Sequence, residues 1–171
     1  MKKTLFVLSI IICSLMLILT SCKYDNLEGR FETEIYNKAK SIDGYVWFKY
    51  SNISYQKSAG SGHEQPLLKT RFNSIAANQL DSIGKVKTGT LFPEGSMIVK
   101  ELLDGNGKLQ VYAVLYKKSS HPSADVKGWV WGYYNEDGTV RISSKLKGKD
   151  CNTCHSQAGN EDYMLMNKFY P

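Results

Sequence analysis

From Leu27 to Ile42 the apolar residues Phe31, Ile35, Ala39 and Ile42 recur at helical spacing, and the pattern stops at the turn pair Asp43-Gly44. This predicts one amphipathic helix. Beyond it the chain changes character. Tyr45–Tyr50 is aromatic and β-favouring, Ser51–Glu64 is rich in Ser and Gly and reads as a surface loop, and Leu67–Phe72 reads as a strand. A short helical or irregular piece is expected over Ile75–Leu80.

The clearest β region runs from Ser96 to Ser143. Met97–Leu103 and Leu109–Lys117 flank Asp104-Gly105-Asn106-Gly107, which predicts a hairpin with a Gly-rich turn. Trp129–Tyr134 supplies a third strand, Asn135–Gly138 a second turn, and Thr139–Ser143 a fourth strand. Together they read as an antiparallel meander. Tyr112, Val114 and Tyr116 alternate with Val111, Ala113 and Leu115, while Trp129, Trp131 and Tyr133 share one side, so both faces of this sheet are apolar. Such a stripe packs a core with or without a flat ligand. The expected fold class is α+β, mainly β: an antiparallel sheet with an N-terminal helix and a short C-terminal helix.

Ahead of this pattern lies a leader. Lys2 and Lys3 precede the apolar run Leu5–Leu19, and Leu19-Thr20-Ser21-Cys22 reads as a lipoprotein cleavage box. The alternative is a membrane span, but the run is short, contains Ser9 and Ser14, and lacks a basic flank after it. Residues 1–21 are thus expected to be a signal peptide, 22–30 a linker lipidated at Cys22, and 31–171 one domain. This places the protein in a bacterial cell envelope, anchored to a membrane and facing the periplasm. Lys23 after the lipid acceptor favours an outer membrane where the cell has two.

Of the 4 cysteines, Cys13 leaves with the leader, Cys22 carries the lipid, and Cys151 and Cys154 remain. They stand in Cys151-Asn152-Thr153-Cys154-His155, a C-x-x-C-H motif. Thiols three apart on a helical turn present both sulfurs along one edge, as two thioether bonds to haem vinyl groups require, and His155 then reaches the iron as a neutral imidazole. One covalent haem c is the implied cofactor, with His155 its metal ligand. The alternatives are a zinc site completed by His63 or His121, a redox dithiol, or a plain disulfide. Little chain follows the motif, so the rest of the pocket has to come from upstream. Helical cytochromes c, whose motif comes early, are built differently.

Composition narrows the partners. The formal charge of +6 falls by two with the loss of Lys2 and Lys3, a mild excess that suits a soluble surface near a membrane and argues against a nucleic-acid track. Lys145, Lys147 and Lys149 precede the motif, as a solvated loop or as a patch for an acidic redox partner.

Several stretches in order carry a resemblance: Lys87-Thr88-Gly89, Phe92-Pro93-Glu94-Gly95-Ser96, Val99-Lys100-Glu101-Leu102, Gly128-Trp129-Val130-Trp131, the C-x-x-C-H motif, Asp162-Tyr163 and Phe169-Tyr170-Pro171. From Leu67 to Pro171 the chain resembles the cytochrome P460 family, relatives of the β-sheet cytochromes c′. The resemblance implies a β domain with one five-coordinate haem, His155 proximal and an open distal side. It further implies a catalytic role for Lys100, matching a lysine bonded to the porphyrin edge, and for Arg71 in Lys69-Thr70-Arg71-Phe72, matching a distal arginine. Lys100 is in phase with Ile98 and Leu102, so its amine points toward an apolar face or snorkels past it. Arg71 is by default a surface guanidinium, although its planar fork suits an anionic or polar ligand.

One departure is visible. Members that oxidise hydroxylamine carry a distal carboxylate on the strand corresponding to Leu109–Lys118, and no Asp or Glu occurs there. Glu101 and Asp125 are the acidic alternatives on either side of that strand. Three function classes remain: a hydroxylamine-type oxidoreductase passing electrons to a periplasmic redox partner, a nitric oxide or diatomic-gas binding protein without turnover, and an electron carrier with a sixth protein ligand. Met164, Met166, His63 and His121 are the candidates for that ligand; the methionines read as packing and His63 as exposed. The sequence leaves a homodimer open.

Overall fold

The computed structural model describes residues 28–164. The leader, Cys22, Met166 and Phe169-Tyr170-Pro171 lie outside the described residues. The chain divides into two compact units, Met1–Glu34 and Ile35–Pro171. Residues 28–40 are helical (α1), including residues 28–30 of the expected linker.

In the second unit, α1 is followed by β1 (Val46–Trp47), β2 (Tyr55–Gln56), β3 (Leu67–Phe72), α2 (Ser74–Ala77), β4 (Met97–Leu103), β5 (Leu109–Lys117), β6 (Trp129–Asn135), β7 (Val140–Ile142) and α3 (Asn152–His155). The strands form one 7-stranded sheet in the order β1-β3-β4-β5-β6-β7, with β2 also paired to β3. Every pairing is antiparallel. The β4–β5 turn closes as its sequence predicts: Asp104 Oδ1 accepts from the amides of Asn106 and Lys108, each at 2.9 Å, and Gly107 takes φ +80°.

Register decides which side chains meet. Arg71 lies opposite Val99, Val99 opposite Val114 and Val114 opposite Gly132, whereas Thr70 lies opposite Lys100, Lys100 opposite Ala113 and Ala113 opposite Tyr133. Opposed residues share a face and successive residues alternate. One face therefore carries Arg71, Glu101, Tyr112 and Tyr134, and the other carries Lys100, Trp131 and Tyr133.

The first face meets the end of α1. Ile35 and Ala39 are buried there, and Tyr36 packs on Tyr112 and Tyr134 at ring distances of 6.2 and 6.3 Å. The second face holds the main core, in which Leu68, Phe72, Ile98, Leu102, Val111, Leu115, Trp129 and Trp131 pack with Phe48, Phe92 and Met164. Apolar burial on both faces explains why β4 and β5 lack the polar alternation of a one-sided sheet.

Candidate functional site

The C-x-x-C-H motif hangs on the second face. After β7 the chain makes a 3-10 turn over Ser144–Leu146, and Lys147 and Gly148 then take positive φ of 50° and 66°. Gly148 is required here, because a Cβ would lie 2.6 Å from the Trp131 ring. Cys151 caps α3, and the His155 amide donates to the Cys151 carbonyl at 3.0 Å. Asn160 Nδ2 donates to the carbonyls of Cys154 and His155, which ends the helix after a single turn.

The segment after α3 is tied to the sheet by its acids. Asp162 accepts from the Phe92 amide at 2.9 Å and from Lys117 Nζ at 3.0 Å, and its carbonyl accepts from Trp129 Nε1 at 2.9 Å. Glu161 accepts from the Gly89 amide at 2.7 Å. Glu94 accepts from the amide and hydroxyl of Ser119, and Gly95 and Ser96 exchange backbone bonds with Lys117. Gly89, Phe92, Trp129 and Asp162, from separate stretches of the sequence, are thus parts of one brace beside the motif.

His155 is held from two sides. Its Nδ1 lies 2.6 Å from the Tyr163 carbonyl, and Trp131 stands edge-on to its ring at 4.9 Å. A carbonyl only accepts, so Nδ1 carries the proton and Nε2 remains for a metal. Burial and nearby Lys100 push the imidazole down to about 4, against the opposing effect of the Tyr163 carbonyl. It is therefore neutral at physiological pH, as ligation demands.

Beside it opens a cavity of about 220 Å³, with a narrow extension of about 30 Å³. Lys100, Tyr133, His63, Cys151 and His155 line both parts, and Cys154 lines the larger one. Burial lowers the Lys100 ammonium to about 8 and raises the Cys151 thiol to about 11, the latter with Asp150 and Cys154 adding to the shift. Both thiols are free. Two thiols on one turn and a neutral imidazole with an available nitrogen fit a covalently held haem. Among the described residues no three His, Cys, Asp or Glu side chains are grouped to hold a metal ion directly.

Arg71 requires a correction. It lies on the opposite face from the cavity and is fully buried. Its guanidinium donates to Glu101 Oε1 and to the Ala39 carbonyl, enclosed by the rings of Tyr45, Trp47 and Tyr112 at 5.1–5.8 Å. Such a group joins Ala39 to the sheet and does not line the cavity. Glu101 is occupied in the same pair. Asp125 is also committed, accepting from the amides of Lys127 and Trp129 and from Trp131 Nε1.

His63 is the second correction. The Gly-rich segment suggests exposure, yet the imidazole stacks on Tyr133 at 6.0 Å, with Nδ1 at 2.8 Å from the Tyr133 hydroxyl and Nε2 at 3.3 Å from Lys100 Nζ. Polar composition gave no sign of this. His121 stays in the β5–β6 connection, where its Nδ1 accepts from the Ser123 amide, and Met164 is buried in the core as expected.

The family model described as Cytochrome P460 matches residues 47–166, which extends the likeness upstream to include Trp47 of β1, β2 and the His63 loop. A search of curated proteins finds no match.

Proposed function

The chain belongs to the cytochrome P460 family, a family of haem c proteins linked to nitrogen-compound oxidation, and on that premise we propose that one haem c is attached through Cys151 and Cys154. The carrying observation is the His155 imidazole, neutral, braced by Tyr163 and Trp131, on the wall of a cavity that both thiols share. A haem held there supplies an iron centre that binds nitric oxide or takes electrons from a hydroxylamine-type substrate.

The protein's own residues set the conditions. Tyr163 orients His155 and keeps Nε2 available; Trp131 stops the ring from turning. Lys100 brings an amine to the cavity wall, where burial favours its neutral form. The cavity beside His155 would admit a small nitrogenous or diatomic ligand, and a haem held by Cys151, Cys154 and His155 would supply the redox centre from which a periplasmic partner takes electrons. Cys22 anchors the protein to the envelope membrane by its lipid. Among the described residues no helix is long and apolar enough to cross a membrane.

A second reading, binding of nitric oxide or another diatomic gas without turnover, has its own support. The carboxylates that line the cavity, Glu64 and Asp150, are exposed at its rim, and Glu64 is paired with Arg141. A buried carboxylate to take a proton from an amine substrate is therefore missing from the described cavity wall. Full-length protein from a host competent in cytochrome maturation separates the two. Hydroxylamine-dependent reduction of an acceptor supports oxidation, whereas a nitric oxide complex without turnover supports capture; purified protein with no haem overturns both.

A further inference from the structure

We propose that His63 is the residue that hydrogen-bonds a small ligand held in the cavity, in the place where a carboxylate would otherwise act. The inference rests on the haem reading above and adds the group that a bound nitrogenous or diatomic molecule meets.

Position comes first. His63 lines both parts of the cavity together with His155, although it arrives from a loop far upstream. Its loop is fastened down: Lys57 Nζ donates to the His63 carbonyl at 2.6 Å and to the Glu64 carbonyl at 3.2 Å, and Arg141 pairs with Glu64. The ring is clamped by stacking on Tyr133 and by the Tyr133 hydroxyl at Nδ1. An imidazole gripped at one nitrogen presents the other in a fixed direction.

The hydrogen-bond inventory then defines what it can do. Burial, with Lys100 and His155 nearby, keeps the ring neutral, so it carries one N–H and one lone pair. A tyrosine hydroxyl can donate or accept; an ammonium can only donate. With Lys100 charged, Nε2 accepts from it and Nδ1–H donates to the Tyr133 oxygen. With the amine turned aside, Tyr133 O–H donates to Nδ1 and Nε2–H is available to a ligand. Tyr133 therefore lets the same nitrogen accept from an N–H or O–H group, or donate to a diatomic. A carboxylate can do only the first, and at greater desolvation cost.

The test uses full-length, haem-loaded protein with carbon monoxide on the ferrous form as the probe. His63→Ala is expected to speed carbon monoxide dissociation by roughly three- to tenfold, the loss of about one hydrogen bond, and to shift the C–O stretching band. His63→Gln keeps a donor and is expected to restore most of the effect; Tyr133→Phe, which frees the ring, falls between. Haem stain on a denaturing gel accompanies each variant. Haem in every variant with unchanged dissociation and stretch in His63→Ala overturns this inference alone. A resting optical spectrum that changes from six- to five-coordinate in His63→Ala also overturns it, by making His63 an axial ligand. Wild-type protein without haem overturns the underlying reading as well.

Discussion

Arg71 and Lys100 stand on neighbouring strands and face opposite sides of the sheet, because Thr70 is opposite Lys100 and Arg71 is opposite Val99. Their chemistry divides accordingly. Arg71 is structural: its charge is buried and matched by Glu101, with the Ala39 carbonyl as a further acceptor. Removing one member of such a pair leaves the other charge uncompensated, which costs about 3–5 kcal/mol. Arg71→Ala is expected to lose that much in urea unfolding. The Arg71→Met, Glu101→Leu double variant recovers most of it. Faster ligand release in a fully folded Arg71→Ala protein would contradict this assignment.

Lys100 carries a pH signature. Its native value near 8 lies below the ordinary 10.5, so between those values the unfolded chain holds a proton that the native chain has released. Stability therefore rises with pH across that window, and a constant penalty applies below it. Lys100→Met removes the penalty. In the haem-free chain it is expected to gain about 2–3 kcal/mol at pH 7, with the gain vanishing near pH 10.5. Urea midpoints measured at the two pH values check this; an equal gain at both removes the burial argument.

Thioether attachment is tested directly by replacing Cys151 and Cys154 together with serine. The thiols are free and stand at the cavity, outside the main core, so the sheet is expected to fold as before by circular dichroism. Haem stain on a denaturing gel is expected to vanish. A stain of normal intensity means that the haem is attached elsewhere.

Much of the fold was legible. Strands β3, β4 and β5 end where their apolar patterns end, because turn residues with strong local preferences bound them. Tyr45–Tyr50 was less so: only Val46–Trp47 pairs, since Lys49 and Tyr50 turn into left-handed backbone at φ 53° where the chain passes against Gly84. The haem motif announced both His155 and the short helix that carries it, although four residues have no period to read. Arg71 and His63 share one reason for being missed. The facing of Arg71 depends on how β3 registers on β4, and the burial of His63 depends on Tyr133, 70 residues away. Neither relation is local, so neither is written in the residues around them.

The brace beside the haem motif predicts an effect at a residue with no chemistry of its own. Gly148 sits at φ +66°, and an added Cβ would lie 2.6 Å from a Trp131 ring that cannot withdraw, because Nε1 donates to Asp125 at 2.8 Å and the indole abuts His155. Overpacking of this kind costs about 1–3 kcal/mol, and the left-handed backbone adds about 1–2 kcal/mol for a residue with a side chain. Gly148→Ala is expected to lose about 2–5 kcal/mol in urea unfolding. It is also expected to lower haem incorporation, since the strain acts on the ring that positions the iron ligand. Gly105→Ala is the control, because nothing lies within 4 Å of its added Cβ and its φ is not positive. That variant is expected to stay within about 0.5 kcal/mol of the parent. If the two alanine variants unfold at the same urea concentration and load haem equally, Trp131 is not the rigid backing of His155 described above.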